Sequence, residues 1–268
     1  YMVAAAERWA PFGFTKPDDI SPMAVQPGQL KKMYKELGAY EASKLEADLL
    51  TRDFCHTHKM PLTIINPATV IGSAATGELD QDQGLSAIVQ AIWRNMFTAV
   101  PGTKQDWIPL TTIDYVSEFL TKAPFIPETI NREFTLLDEA TPRFSELAAM
   151  IARHLGRKAP TKHMPKSLMK FLLNAGMSKL TGTSAESLSF LAPYYFDTGP
   201  ANQIAQKIGL KKGNILEAIR KTSDQFAANH FGKTKSPFKS GTFRYQEIAG
   251  SRTFIGGNSK SANHVHFQ

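Results

Sequence analysis

Apolar residues in the first quarter of the chain follow two patterns in turn. From Gly38 to about Lys59, Ala42, Leu45, Leu49, Leu50 and Phe54 recur near every 3.6 residues, which predicts an amphipathic helix stopped by Pro61. Leu62 to Asn66 (Leu-Thr-Ile-Ile-Asn) then shows little alternation. That is the pattern of a strand covered on both faces, as in a parallel sheet, and Pro67 ends it. Before the helix, residues 1–5 read as a short apolar strand. Residues 11–37 are rich in Pro, Gly and charge and read as an irregular excursion. After a Gly, Ser and Thr loop over 72–84, helices are expected at 85–97 and 114–123, the second capped by Thr112 or Asp114. Arg132 to Leu137 reads as a strand. Thr141-Pro142 opens a helix to about His154, with Gly156 as its stop.

Beyond Pro165 the pattern turns helical, with segments expected near 165–180, 184–192, 200–208 and 213–229. Strand followed by helix, repeated, predicts an α/β layered domain, and the later helices form a small cap. From Lys233 the chain reads as a Lys, Ser, Gly and Pro linker. Arg252 to Ile255 and His264 to Phe267 then read as two strands joined by a turn at Gly256-Gly257.

Composition narrows the partners. The 268 residues, 42% of them hydrophobic, suffice for one sizeable core or two small ones. Lys and Arg number 31 against 24 Asp and Glu, a surplus of +7. Nucleic acid, a membrane surface or an anionic ligand all suit such a surplus. The cations are spread along the chain, and the densest clusters, Lys31-Lys32 and Lys211-Lys212, are only pairs. No nucleic-acid partner is therefore expected. A phosphate-bearing cofactor or substrate accounts for the charge as well. The single cysteine, Cys55, excludes a disulfide framework and points to a reducing, cytoplasmic compartment. Cys55 is expected to pack in its helix. His56 and His58 diverge around that helix, so no metal site is expected there. No run of about 18 apolar residues predicts a membrane-spanning helix. No signal peptide is visible, and both ends, Tyr1 and Gln268, look cut.

One spacing carries chemistry. In Tyr40-Glu41-Ala42-Ser43-Lys44 the tyrosine and lysine stand four apart, which on a helix stacks phenol beside ammonium. A nearby cation favours phenolate over phenol. A phenol so tuned passes a proton to or from a substrate oxygen while hydride moves. Taken alone, the pair also suits an ordinary exposed helix face.

The context is more specific. The run Ala39 to Asp48 (Ala-Tyr-Glu-Ala-Ser-Lys-Leu-Glu-Ala-Asp) is followed by Asn66-Pro67-Ala68-Thr69-Val70-Ile71-Gly72. Trp107-Ile108-Pro109 with Asp114-Tyr115-Val116, the Phe134–Leu137 strand and the Pro142 helix come after it. Together they resemble extended short-chain dehydrogenases/reductases. The likeness is to the thioester reductase, fatty acyl reductase and 3β-hydroxysteroid dehydrogenase branch, over roughly residues 1–230. The resemblance implies the C-terminal part of a Rossmann-like doubly wound parallel sheet with a helical substrate cap. It implies residues 1–160 as a partial dinucleotide-binding domain, 161–232 as the cap and 233–268 as a linker and the start of a further domain. It makes Tyr40 the general acid/base. Lys44 tunes it and bonds the nicotinamide ribose of NAD or NADP. The backbone of Pro67, Ala68, Thr69 and Val70 faces the nicotinamide. A small hydrophobic substrate is expected in the cap, and a homodimer stays open.

Three departures stand out. No Gly-x-x-Gly-x-x-Gly loop, which would bring backbone amides to the pyrophosphate, occurs in the chain. The family's serine before the tyrosine aligns with Ala4 or Ala5, which has no hydroxyl. Asn66 stands where the family has arginine. The alternatives are a non-catalytic dinucleotide-binding relative, or a stretch inactive and poorly soluble by itself. The tail, Gly250 to Phe267, resembles the opening hairpin of an α/β-hydrolase, without a Gly-x-Ser-x-Gly elbow.

Overall fold

A long helix, α1 (Gln29–Thr57), is the first element of the computed structural model, and Gly38 (φ 82°, ψ 168°) breaks it. Residues 20–26, 28–80, 84–178, 185–191, 193, 195–231, 243–248 and 251–256 are described. The helix begins well before Gly38, so 29–37 is helical and not the expected irregular stretch. Gly28 in the left-handed region starts it. The run Leu-Lys-Lys-Met-Tyr-Lys-Glu-Leu is made mostly of straight-chain helix formers, whose propensity outweighs its charge. Tyr34 Oη donates to Glu46 Oε2 at 2.6 Å and ties the two halves across the break. Met33, Ala42, Leu45 and Leu49 form the buried stripe; Leu50 and Phe54, expected in it, are instead 64% and 55% exposed.

The chain then continues as β1 (Thr63–Pro67), β2 (Thr69–Ile71), α2 (Leu85–Trp93), β3 (Ala99–Pro101), β4 (Leu110–Thr112), α3 (Ile113–Lys122) and β5 (Arg132–Leu136). After these come α4 (Phe144–His154), β6 (Lys162–Met164), α5 (Lys166–Leu172), α6 (Gly199–Lys207) and α7 (Ile215–Ala228). All three strand pairs in this part are parallel. Strand β1 pairs with β5, with Ile65 opposite Phe134. Strand β2 pairs with β4, with Val70 opposite Thr111. Strand β3 pairs with β6, with Val100 opposite His163. The first two pairs are stitched together: Ala68 N donates to Leu136 O (2.9 Å), Thr69 N to Pro109 O (3.1 Å) and Asp138 N to Leu110 O (2.8 Å). The chain is thus α/β with parallel strands. Strands β1 and β5 were legible in the sequence. The other four have three residues each, too few for any periodicity to register.

Helices cover these strands. One core joins Ile71 and Leu110 to Leu85 and Val89 of α2, Leu147 and Ile151 of α4, and Ile219 and Phe226 of α7. A second joins Phe134 and Leu136 of β5 to Phe119 of α3 and Ile204 of α6. Each such side chain, taken fully out of water, contributes about 1.5–3 kcal/mol. Thr112 caps α3, its Oγ1 accepting from Tyr115 N at 3.4 Å. Gly156, at φ +66°, follows α4 as its expected stop. The helix expected over 165–180 is α5 followed by a wider turn, Leu173–Met177, in which Gly176 has φ 117°. The segment near 184–192 is a 3₁₀ turn, Ala185–Phe190.

The last two strands, β7 (Phe243–Ile248) and β8 (Ser251–Gly256), form an antiparallel hairpin. The strand expected at 252–255 is present, but it pairs with 243–248, inside the expected linker. Only Ala249-Gly250 separates the two, so this partner is closer in the chain than any later one. Residues 264–267, the strand over 1–5 and the position at Ala4 or Ala5 lie outside the described residues. Among the described residues no helix is long and apolar enough to cross a membrane.

Candidate active site

Helix α1 puts Tyr40 and Lys44 on the side opposite its buried stripe. Tyr40 is 51% exposed. Lys44 is exposed, and its Nζ lies 5.9 Å from the centroid of the Tyr40 ring. The stacking expected from the four-residue spacing is therefore present. The Gly38 break ends two residues before Tyr40, so the phenol stands at the start of the second helical segment. Ser43 Oγ donates to Tyr40 O at 3.0 Å, within the same turn. Glu41, between Tyr40 and Lys44, is buried at 2% exposure, a position the sequence did not single out.

The far end of α1 is fixed to the strands by charge. Arg52 is fully buried and binds Asp48 Oδ2 (2.8 Å) and Glu133 Oε2 (2.6 Å) of β5. Asn66 Nδ2 donates to Glu133 Oε1 at 2.7 Å. Asn66 is therefore a member of this buried network. Such networks register one element against another, whatever their net stability. Here the network holds the tyrosine helix against the strand that leads into Pro67.

Pro67, Ala68, Thr69 and Val70 form the crossing from the β1–β5 pair to the β2–β4 pair. The amides of Ala68 and Thr69 are both used inside the fold, by Leu136 O and Pro109 O. Ala68 packs with Trp107, Leu137 and Phe196 in an apolar cluster. After Ile71 the chain closes into a tight loop: Gly77 N donates to Ser73 O at 2.7 Å and Ser73 N to Glu78 O at 3.0 Å. A Cβ on Gly72 would sit 2.0 Å from Gly77 O, so only glycine fits. Asp114 accepts from Ala74 N at 2.7 Å, and Lys221 Nζ reaches Ala75 O at 2.8 Å. The Asp114-Tyr115-Val116 motif thus acts partly on this loop.

Beside the apolar cluster lies a group that sequence reasoning missed. Arg143 stacks on Tyr195 at 4.6 Å and on Trp107 at 5.9 Å from the ring centroids. Its Nη1 donates to Gln105 O at 2.7 Å and its Nη2 to Tyr195 Oη. Next to it, Asp106 is almost fully buried and pairs with Lys166 of α5. Burial pushes the Asp106 carboxyl up, but bonds from Lys166 and Thr103 outweigh it and hold it below the usual range. A further network surrounds Glu139. Burial raises this carboxyl, yet bonds from Lys212, Thr198 and Asn202 bring it down to about 2. Neighbouring Tyr115 is 3% exposed, and burial pushes its phenol up to about 12, helped by Glu139 and Asp138. The donors to Glu139 stand 59 to 73 residues away in the chain, so no local signal announces them.

The NAD-binding family described as "Male sterility protein" matches residues 7–120, a stretch that contains Tyr40, Lys44 and the Pro67–Val70 crossing. Over that stretch the chain is similar to the extended short-chain dehydrogenases/reductases. The fold of this chain is similar to that of the terminal R domain from the myxalamid PKS-NRPS biosynthetic pathway. The identity is 17%, the TM-score 0.56, and the likeness covers 74% of this chain and 51% of that one. It is also similar to gox2253, at 15% identity and TM-score 0.51, over 72% of this chain and 57% of that one. The chain thus spans about half the length of these two structures. No curated protein matches it.

The family implies a nicotinamide dinucleotide. An exposed phenol and an exposed ammonium on one helix face suit a ribose diol and a carbonyl oxygen. The residues present therefore fit the nicotinamide-ribose end of such a cofactor. No Gly-x-x-Gly-x-x-Gly segment in these 268 residues provides a cradle for its pyrophosphate.

Proposed function

We propose that this chain carries the catalytic tyrosine and lysine, and part of the substrate site, of an NAD(P)-dependent oxidoreductase acting on a carbonyl, alcohol or activated acyl group. The observation that carries the reading is the stack of Lys44 on the Tyr40 ring, 5.9 Å to the centroid, within the family-matched stretch. In this reading Tyr40 Oη donates a proton to the substrate oxygen during reduction, or takes one during oxidation. Lys44 keeps positive charge beside the phenol, which stabilises the phenolate left behind. Lys44 also holds a ribose hydroxyl. A bound nicotinamide supplies or accepts the hydride. Pro67 and Ala68 present a rigid apolar wall, because their ladder bonds fix the backbone. The cluster of Ala68, Trp107, Leu137 and Phe196 favours a hydrophobic substrate next to that wall.

A second reading has one specific observation behind it. The segment Val3-Ala4-Ala5-Ala6 offers no hydroxyl where the family has its serine. Loss of one such donor costs a few kcal/mol of transition-state stabilisation. A dinucleotide-binding protein without turnover would show that pattern.

The test uses the full-length protein with NADH or NADPH and a panel of aliphatic aldehydes and acyl thioesters. Tyr40→Phe and Lys44→Ala are each expected to lower kcat by roughly 100-fold or more. Parent-like turnover in both variants contradicts the proposal. Nucleotide binding by the parent without turnover on any member of the panel favours the second reading.

A further inference from the structure

Arg143 stands beside the apolar cluster with a charge that the fold leaves unanswered. Its guanidinium carries five N–H donors and stays protonated at any working pH. The bonds it makes go to neutral oxygens: Nη1 donates to Gln105 O at 2.7 Å and Nη2 to Tyr195 Oη. Among the described residues no carboxylate pairs with it. Asp106, next to Trp107, is taken by Lys166. The same guanidinium is held still. It lies over the Tyr195 ring at 4.6 Å and over Trp107 at 5.9 Å from the centroids. Phe144 N donates to Asp106 O at 2.9 Å, so the backbone beside Arg143 is tied to the backbone beside Trp107.

An arginine placed for solubility keeps its head free in water. This one gives up that freedom to two rings and two hydrogen bonds, and still has N–H groups left over. A guanidinium fixed in this way is preorganised for an oxyanion, which it grips through parallel N–H groups. Its place joins it to the rest of the candidate site. Trp107 is 2% exposed and packs in one cluster with Ala68, Leu137 and Phe196. Ala68 belongs to the Pro67–Val70 crossing. Tyr195 is 65% exposed, and Arg143 is partly exposed, so the stack reaches solvent. Arg143 thus stands at the solvent edge of a buried cluster that includes the crossing.

We propose that Arg143 binds an anionic oxygen group, a carboxylate or a phosphate, on the hydrophobic substrate. The apolar part of that substrate lies along the cluster, and its charged end meets the guanidinium at the edge. As a statement about substrate this rests on the Tyr40–Lys44 reading, but the binding step is measured without turnover. A stack that only ties Tyr195 to α4 has no reason to tell a charged ligand from a neutral one. That difference is what the experiment reads.

Calorimetry on the full-length protein, saturated with NADH or NADPH, compares octanoate, octyl phosphate and octanol. The parent is expected to bind octanoate, octyl phosphate or both roughly 10-fold or more tightly than octanol. The preferred anion identifies the group. Arg143→Met keeps a long apolar side chain for the rings and is expected to remove the preference, with a much smaller loss for octanol. Arg143→Lys keeps the charge without the paired N–H groups and is expected to weaken the preference without abolishing it. Circular dichroism checks that each variant keeps the parent fold. No preference in the parent, a preference unaltered in both variants, or an equal loss for all three ligands in Arg143→Met overturns the inference. So does a loss of NADPH affinity in Arg143→Met that exceeds the loss for octyl phosphate. Octanal and its ω-carboxylate analogue, offered as substrates, separate the two claims. Anion binding that depends on Arg143, without turnover of either aldehyde, keeps this inference and counts against the Tyr40–Lys44 reading. Turnover of both with equal kcat/KM and no anion preference does the reverse.

Discussion

Glu139 and Tyr115 show how single side chains are tuned here by what surrounds them. Glu139 keeps about half of its side chain exposed, yet three donors hold it near 2 against burial. Its carboxyl is thus depressed on folding. The stability it adds is present above its ordinary value of 4.5 and is lost as pH falls towards about 2. Solvent screening at a half-exposed site reduces the effect to about 1 kcal/mol. Glu139→Gln should remove that amount at pH 7 and flatten the acid side of the stability profile between those two values. Asp138, pushed up by burial, opposes it in part, so the difference between parent and variant is the quantity to measure by urea unfolding. A profile identical in the two proteins contradicts this account. Tyr115 is the converse case. Its Oη is buried with no hydrogen-bond partner among the described residues. An unsatisfied buried hydroxyl costs about 1–3 kcal/mol. Tyr115→Phe should therefore raise the urea midpoint without altering the slope, and a lowered midpoint contradicts the reading.

Among the elements, α1 matters most, because it carries the proposed reactive pair and its break comes just before it. Gly38 has a positive φ with extended ψ, a region essentially closed to residues with a Cβ. Gly38→Ala should destabilise the protein by about 1–3 kcal/mol. It should also reduce turnover more than nucleotide affinity, because it re-aims Tyr40. An alanine variant with unaltered stability and kinetics rules this out. The second segment of α1 was legible because its apolar stripe repeats over several turns. The first segment was not, because charge and a nearby Pro-Gly pair hid a run of good helix formers. Strand β1 was legible as an unbroken β-branched run. Strands β2, β3, β4 and β6 were not, since each is fixed by a partner far along the chain and not by its own residues.

At the scale of the whole molecule, the parts of the site differ in the same way. The stack of Lys44 on Tyr40 was legible from a four-residue spacing. Arg143 on Trp107 and Tyr195, Asp106 with Lys166, and Asn66 with Glu133 and Arg52 depend on parallel pairing and on α5 returning to the strands. No local pattern announces such contacts. Asn66, which stands where the resembled family has arginine, is a link between the tyrosine helix and β5.

The central claim is that the Tyr40 phenol moves the proton while hydride moves. Rapid mixing of full-length protein, saturated with reduced nicotinamide, with an aldehyde or thioester substrate follows one turnover by the loss of nicotinamide absorbance. Tyr40→Phe is predicted to slow that single phase by roughly 100- to 10,000-fold, with nucleotide affinity within a few-fold of the parent. A phase as fast in Tyr40→Phe as in the parent would contradict the assignment of Tyr40.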